Sequence, residues 1–272
     1  MGMIAEGFAP AHITGFFFPH MDEDPLRSGS YGAGIALNFG AYSTVEILDK
    51  DVLDVKVLRE ASSEVTRRAL SIAMEEMGER VGVRAVIIPQ LPIGQGFGMS
   101  AAGTLATMVA FAELMGRDRE DALRWTHMAE VQSGTGLSDA IGSYYGGLVI
   151  RKRPGLPPYG EIERIEVYGS MWCMMLGDPI STKEFLAGYD VERMRGPAMD
   201  ALNALLEEPS VPRFAQMSRR FAESIAISPE ILSRIPVNAM GSQIMLGNSI
   251  FFINGEGGIR CEFDNEGARV VG

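Results

Sequence analysis

Pro89-Gln90-Leu91-Pro92-Ile93-Gly94-Gln95-Gly96-Phe97-Gly98-Met99-Ser100-Ala101-Ala102 joins two elements of different periodicity. Residues 83–88 before it are apolar and β-branched, which predicts a strand. Residues 100–115 after it are rich in Ala, Leu and Met and lack proline, which predicts a helix with Ser100 near its N-cap. Three glycines at alternate positions therefore lead into a helix N-terminus. A helix start offers unpaired N–H groups and the positive end of the dipole, and glycines let a bulky anion reach the backbone. This is the layout of a phosphate cradle, although a plain tight connection explains the glycine spacing equally well. Two other nucleotide motifs fit worse. A P-loop ends in Gly-Lys-Ser/Thr, whereas Gly98 is followed by Met99-Ser100. The dinucleotide pattern G-x-G-x-x-G fails because Met99 stands three residues after Gly96.

The chain has 272 residues, enough to bury a sizeable core in one large domain or two modest ones. Its formal net charge is −11 with dispersed basic residues, so no positive patch for nucleic acid is visible. Cations must then be concentrated wherever a phosphate binds. Of the two cysteines, Cys173 lies in an apolar run and reads as a small buried side chain. Nothing in the spacing of Cys173 and Cys261 suggests a secreted disulfide framework, and no Cys/His metal cluster stands out. No signal segment and no membrane-length apolar run is apparent, so a cytoplasmic protein without membrane contact is the expectation.

Residues 1–60 read as strands and glycine turns: Phe16-Phe17-Phe18 and Val45-Glu46-Ile47-Leu48 are strand-like, with a glycine-rich loop over residues 28–34 between them. Ser62 or Ser63 caps a helix to about Gly78, with Val65, Ala69, Ala73 and Met77 on one stripe. Asp118 opens a helix to about Gln132, followed by a loop over 134–139 and, after Gly146-Gly147, a strand. Arg153-Pro154-Gly155-Leu156-Pro157-Pro158 breaks the composition, which places a domain boundary after one more strand, near residue 165. Beyond it the pattern predicts a strand at 171–176, helices near 197–207 and 212–226, and a hairpin over 249–263 turning at Asn254-Gly255-Glu256-Gly257. The mixture argues for an α+β protein of two lobes, residues 1–165 and 166–272.

Two acids stand out by context. Glu130 lies late on the 118–132 helix, and Asp139 follows nine residues later among glycines. Alone, each reads as a solvated charge or an N-cap. Beside a phosphate cradle they suit phosphoryl transfer, which needs a cation on the phosphate oxygens and a group that receives the attacking hydroxyl's proton. Mg²⁺ takes oxygen ligands and keeps several waters, so Glu130 and the Ser100 hydroxyl suffice to hold it. Asp139 is then the proton acceptor.

Taken together, these residues resemble the GHMP kinases (galactokinase, homoserine kinase, mevalonate kinase and phosphomevalonate kinase). The family motif Pro-x-x-x-Gly-Leu-Gly-Ser-Ser-Ala-Ala is matched by residues 92–102, its metal-binding Glu by Glu130, and the segment with its catalytic Asp by Ser133-Gly134-Thr135-Gly136-Leu137-Ser138-Asp139-Ala140. Ala9-Pro10-Ala11-His12-Ile13-Thr14-Gly15 resembles the N-terminal motif, and residues 241–251 the C-terminal glycine-rich motif. The chain departs from the pattern in three places: Met99 replaces the first serine, His12 stands where many members carry lysine, and the C-terminal motif has fewer glycines. With Gly29-Ser30-Tyr31-Gly32-Ala33-Gly34 and Leu246-Gly247-Asn248-Ser249-Ile250-Phe251, these features look like the archaeal pantoate kinase family. The resemblance implies a two-lobed GHMP kinase fold, with an N-terminal lobe like the second domain of ribosomal protein S5 and a ferredoxin-like C-terminal lobe. It also implies ATP and Mg²⁺ as cofactors, a homodimer, and phosphorylation of the C4 hydroxyl of pantoate on an archaeal route to coenzyme A. The ATP phosphates would lie on Gly94, Gly96, Phe97, Gly98, Met99, Ser100, Ala101 and Ala102.

Pantoate carries one carboxylate and a gem-dimethyl group, so its site needs a cation or hydroxyl cluster and an apolar wall. His127, three residues before Glu130, faces the same way on a helix. Arg151 ends a strand and offers a bidentate fork, or is one end of a solvated basic run. Ser28 and Ser30 lie in the glycine-rich segment, Thr182 follows the first strand of the second lobe, and His12 is the remaining candidate. Two alternatives stay open: a GHMP kinase acting on another hydroxy acid or a homoserine-like acceptor, and an inactive nucleotide-binding regulator.

Overall fold

The structure is a computed structural model. It describes residues 2–58, 62–180, 190–226 and 229–271. The chain opens on two long antiparallel strands, β1 (Ile4–His20) and β2 (Gly29–Leu48). β3 (Leu53–Val57) leads to α1 (Glu64–Met77), which starts after Ser63 and stops at Gly78 in the left-handed region. β4 (Gly82–Pro89) runs into the glycine loop and α2 (Met99–Leu114); α3 (Arg119–Ser133), α4 (Asp139–Tyr145), β5 (Leu148–Arg153) and β6 (Glu161–Ile165) follow. The remaining elements are β7 (Ser170–Met175), α5 (Val191–Glu207), α6 (Val211–Ser224), α7 (Pro229–Leu232), β8 (Met240–Ile244), β9 (Ser249–Ile253), β10 (Ile259–Glu262) and β11 (Arg269–Val270).

The strands form two sheets. A seven-stranded sheet has the path β11-β1-β2-β4-β3, with β5 also pairing β2 and carrying β6. A four-stranded sheet has the order β10-β7-β9-β8, the 4-1-3-2 order of a ferredoxin-like unit. The chain changes sheet between Ile165 and Ser170, then returns: β11 pairs β1, and Phe263 bridges Leu37. α2 is the central helix. All but three of its residues are buried and its apolar residues lie all round, as befits a helix with no solvent face. The Phe16-Phe17-Phe18 run becomes part of the seam between the lobes. Phe16 meets Phe214 and Phe221 of α6 at 6.4 Å between ring centroids, and Phe214 stacks on Phe251 of β9 at 5.4 Å. Cys173 and Cys261 are both buried and free.

Four local expectations are corrected. The helix after the glycine loop begins at Met99, with Gly98 as N-cap at φ 62, so Ser100 sits inside the first turn. A left-handed glycine ends the loop two residues earlier than a serine cap would. Residues 29–34 are strand, and their glycines serve close packing rather than a turn: a Cβ on Gly34 would overlap His12 Nε2, and one on Gly32 would overlap the Phe16 carbonyl. α5 begins at Val191 and continues through Pro197, six residues earlier than a helix opened at the proline. The hairpin over 249–263 does not form. β10 pairs β7, which lies between it and β9. The tight hairpin is β8–β9, turning over residues 245–248.

That turn joins the lobes. A Cβ on Gly247 would overlap the backbone of Gln95 and Gly96, and Met245 N–H donates to the Thr14 carbonyl at 2.9 Å. Gln95 ties the same corner: its amide donates to the Gly177 carbonyl at 2.8 Å and its oxygen accepts from Ser249 Oγ at 3.0 Å. Gly247→Ala should destabilise the protein by about 2–4 kcal/mol, because backbone must yield on both sides of the added methyl. Urea unfolding measures this; a loss below about 0.5 kcal/mol would show that the turn shifts freely.

Candidate active site

The glycine loop adopts the conformation that its spacing requires. Gly94, Gly96 and Gly98 have φ of 80, 86 and 62, all in the region that side chains disfavour. The first intrahelical bond of α2 runs from Ala102 N–H to the Gly98 carbonyl (2.9 Å), so the N–H groups of Met99, Ser100 and Ala101 precede the helical ladder. They border a cavity of about 380 Å³ that Gly94, Gly96, Gly98, Glu130 and Asp139 also line. A second cavity of about 220 Å³ adjoins it across Met99, Ser100 and Thr135 and reaches the start of α1 at Ser62 and Ser63. Among the described residues, neither cavity is lined by a lysine or arginine.

Both acids face the larger cavity. Glu130, on the last turns of α3, is 2% exposed. Burial pushes its pKa up to about 8, the charge of Asp139 adds to this, and a hydrogen bond from the Ala140 N–H opposes it. Gly136 leaves no room for a side chain there, since a Cβ would stand 2.8 Å from both carboxylate oxygens. Ser133 Oγ, also on this cavity, is buried without a partner. Asp139 opens α4 and lies against the loop, with its carboxyl carbon 3.4 Å from where a Cβ on Gly98 would be.

His12 comes from the middle of β1 and is fully buried. Its Nδ1–H donates to Asp139 Oδ1 at 3.0 Å, and the Thr14 hydroxyl reaches the same oxygen at 3.5 Å. Its other edge is enclosed, because a Cβ on either Gly34 or Gly142 would overlap the ring. Burial lowers the His12 pKa; the bond to Asp139 and that acid's charge oppose this, and Arg151 reinforces it. The imidazole is therefore neutral at pH 7, with its proton on the nitrogen that faces the carboxylate. His12 is thus a partner of Asp139 rather than a substrate contact.

Arg151 is 1% exposed, and its Nε, Nη1 and Nη2 have no hydrogen-bond partner. Burial draws its pKa down to about 10, opposed only by the attraction of Asp139. A buried unpaired guanidinium is costly unless something pairs with it. Ser30 Oγ bonds Ser138 Oγ at 2.9 Å, and both line a narrow pocket on the other side of Asp139 with Thr14, Phe17, Leu137 and Leu246.

Of the expected substrate contacts, His12, Ser28, His127 and Arg151 line none of these cavities. His127 Nε2–H is shared between the carbonyls of Pro25 and Ser28 at 3.0 and 3.1 Å, so the imidazole pins the β1–β2 connection. Ser28 Oγ accepts from Asp22 N–H at 2.9 Å within that connection. Helical spacing suggests one side for His127 and Glu130 but could not show the backbone that covers the imidazole. Thr182 lies outside the described residues. Thr14, Ser133 and Leu246 were not foreseen. Thr14 had a signal, since strand period places it on the face of His12; Leu246 had only its place in the C-terminal motif, because its turn meets the site through lobe packing.

This fold and glycine-loop site are those of a GHMP kinase, and residues 64–147 match the GHMP kinases N terminal domain. The chain is 31% identical over 264 residues to the pantoate kinase of Thermococcus kodakarensis, covering 92% of this chain and 87% of that one. It is 32% identical over 259 residues to the pantoate kinase of Methanospirillum hungatei, covering 90% and 85%. A solved phosphotransferase related to the CoA biosynthesis pathway superposes with a TM-score of 0.85 at 28% identity over 99% of both chains. The chain belongs to the pantoate kinase family.

The raised pKa of Glu130 has a testable sign. An acid whose folded pKa lies above its unfolded value binds more protons when folded, so its ionisation destabilises the protein as pH rises from about 4.5 to about 8. Glu130→Gln removes that penalty. Without added metal, its melting temperature should match the parent's near pH 4.5 and exceed it by several degrees at pH 8. Parallel melting curves across this range would show the penalty to be absent.

Proposed function

We propose that this ATP-dependent kinase phosphorylates the C4 hydroxyl of pantoate, giving 4-phosphopantoate for coenzyme A synthesis. The observation that carries this is the position of Asp139. It is the shared wall of the nucleotide-sized cavity and the narrow hydroxyl-lined pocket, with the unpaired Arg151 cation in its field. The triphosphate lies along the N-terminus of α2, where the dipole and free N–H groups favour it. The purine occupies the adjoining cavity between α1 and Met99. The acceptor lies beside Thr14, Ser30 and Ser138; its carboxylate would reach Arg151, whose unpaired guanidinium lies in the field of Asp139.

Asp139 Oδ1 is held by His12 and Thr14. Its other oxygen is then free to take the proton as the acceptor oxygen bonds to the γ-phosphorus and the bond to the β-phosphate oxygen breaks, releasing ADP. A neutral His12 orients the acid without neutralising it, which a lysine in its place would do. The all-oxygen donors fit a hard cation: Glu130 is buried with only one N–H for its charge, Ser100 lies opposite, and no side-chain cation lines the cavity among the described residues. Ser100 and Glu130 would hold Mg²⁺, which supplies charge neutralisation on the β- and γ-phosphates when bound. Family resemblance supports the remaining assignments: an archaeal cytoplasmic homodimer with lobes divided near residue 165, the last strand tying back to the first lobe. No helix among the described residues is long and apolar enough to cross a membrane.

Incubation with ATP, Mg²⁺ and pantoate should give a product heavier by one phosphoryl group, and homoserine or mevalonate should react poorly. Asp139→Asn should lower kcat by about 10²–10⁴ while ATP still binds. Arg151→Ala should raise the pantoate KM at least about tenfold and leave the ATP KM nearly unchanged. Equal effects on both KM values would remove Arg151 from the acceptor site.

A further inference from the structure

Leu246, in the β8–β9 turn, has φ 63, a conformation that a leucine rarely adopts and that Gly247 beside it would take at no cost. Its side chain lines both the nucleotide cavity and the narrow pocket beyond Asp139. In the narrow pocket it is joined by Phe17 and Leu137, with Ser30, Ser138 and Thr14 supplying hydroxyls to the same lining. The free space there is about 10 Å³, room for one water, so any larger group meets these apolar walls directly. Leu137 and Leu246 are only half-buried, and they are the walls able to yield.

Resting on the pantoate reading, we propose that Leu246, with Phe17 and Leu137, is the wall that selects an acceptor whose reacting CH₂OH is attached to a quaternary, dimethylated carbon. The chemistry fixes the distance. With the C4 hydroxyl at Asp139, the gem-dimethyl carbon is one bond further on, so its methyls must fall against whatever surrounds that acid. Those surroundings combine apolar and hydroxyl-bearing residues, which suits two methyls and the remaining oxygens of the same small molecule. An acceptor with hydrogens in place of the methyls keeps every polar contact and loses only this wall. Leu246 retains its disfavoured backbone because glycine there would leave the wall open.

The test compares kcat/KM for pantoate and for 2,4-dihydroxybutanoate, which lacks both methyls, in the intact protein and in Leu246→Ala and Leu246→Gly. Each methyl in an apolar pocket discriminates by roughly tenfold or more, so the unaltered enzyme should prefer pantoate by about 100-fold. Both variants should cut that preference at least about tenfold, and so should Leu137→Ala, which lines only the narrow pocket and should hold the ATP KM within about twofold. Leu246→Gly should in addition melt no lower than the parent, since it relieves the backbone, a result that a merely structural leucine would not give. If either variant fails to fold, Leu137→Ala reads the same ratio. An unchanged preference, or in Leu137→Ala an ATP KM that rises as much as the pantoate KM, would overturn the wall while leaving pantoate as substrate. No turnover of pantoate by the unaltered protein would instead remove the functional reading, and this inference with it.

Discussion

Backbone pressed on backbone, at Gly247 against Gln95 and Gly96, holds the two lobes and the site in one arrangement. No side chain fits between these segments, so the β8–β9 turn moulds the glycine loop from outside while the end of β4 and the start of α2 hold it from within. The same turn reaches β1 through Met245 and the Thr14 carbonyl, and it carries Leu246 to Asp139. A motif with fewer glycines than its relatives' pattern therefore still supports the loop, because the single glycine at the point of closest approach is the one that counts.

Around this joint the protein concentrates charge that it does not fully compensate. Glu130 and Asp139 repel each other across the cavity, Arg151 is buried without a partner, and His12 is kept neutral by burial against an acid that would otherwise charge it. Each of these costs folding stability, and clusters of this kind mark sites whose missing partners arrive with the ligands. The strain is bearable because α2 and the Phe16–Phe214–Phe251 seam surround the site with well-packed apolar side chains.

His12 illustrates how one substitution within a shared scaffold changes the local chemistry. A lysine at this position would place a fixed charge beside the acid. An imidazole held between Gly34 and Gly142 offers only a directed N–H. The two glycines are as much part of this device as the histidine, since a methyl on either would expel the ring.

The strand, the alternating glycines, the helix after them and the nine-residue spacing from Glu130 to Asp139 were all legible in the sequence, because each depends on residues close together in the chain. Glycine at φ near 80 and an apolar helix are local properties that no distant contact is needed to predict. The tertiary structure alone decided that His12 lies 3.0 Å from an acid 127 residues away, that His127 turns to the Pro25 and Ser28 carbonyls, that β10 pairs β7 instead of β9, and that Leu246 lines a pocket with Asp139. In β1 and β9 both faces are buried, so alternation no longer tells which side a residue presents, and strand partners are chosen by how two lobes share one core rather than by anything written within a single segment.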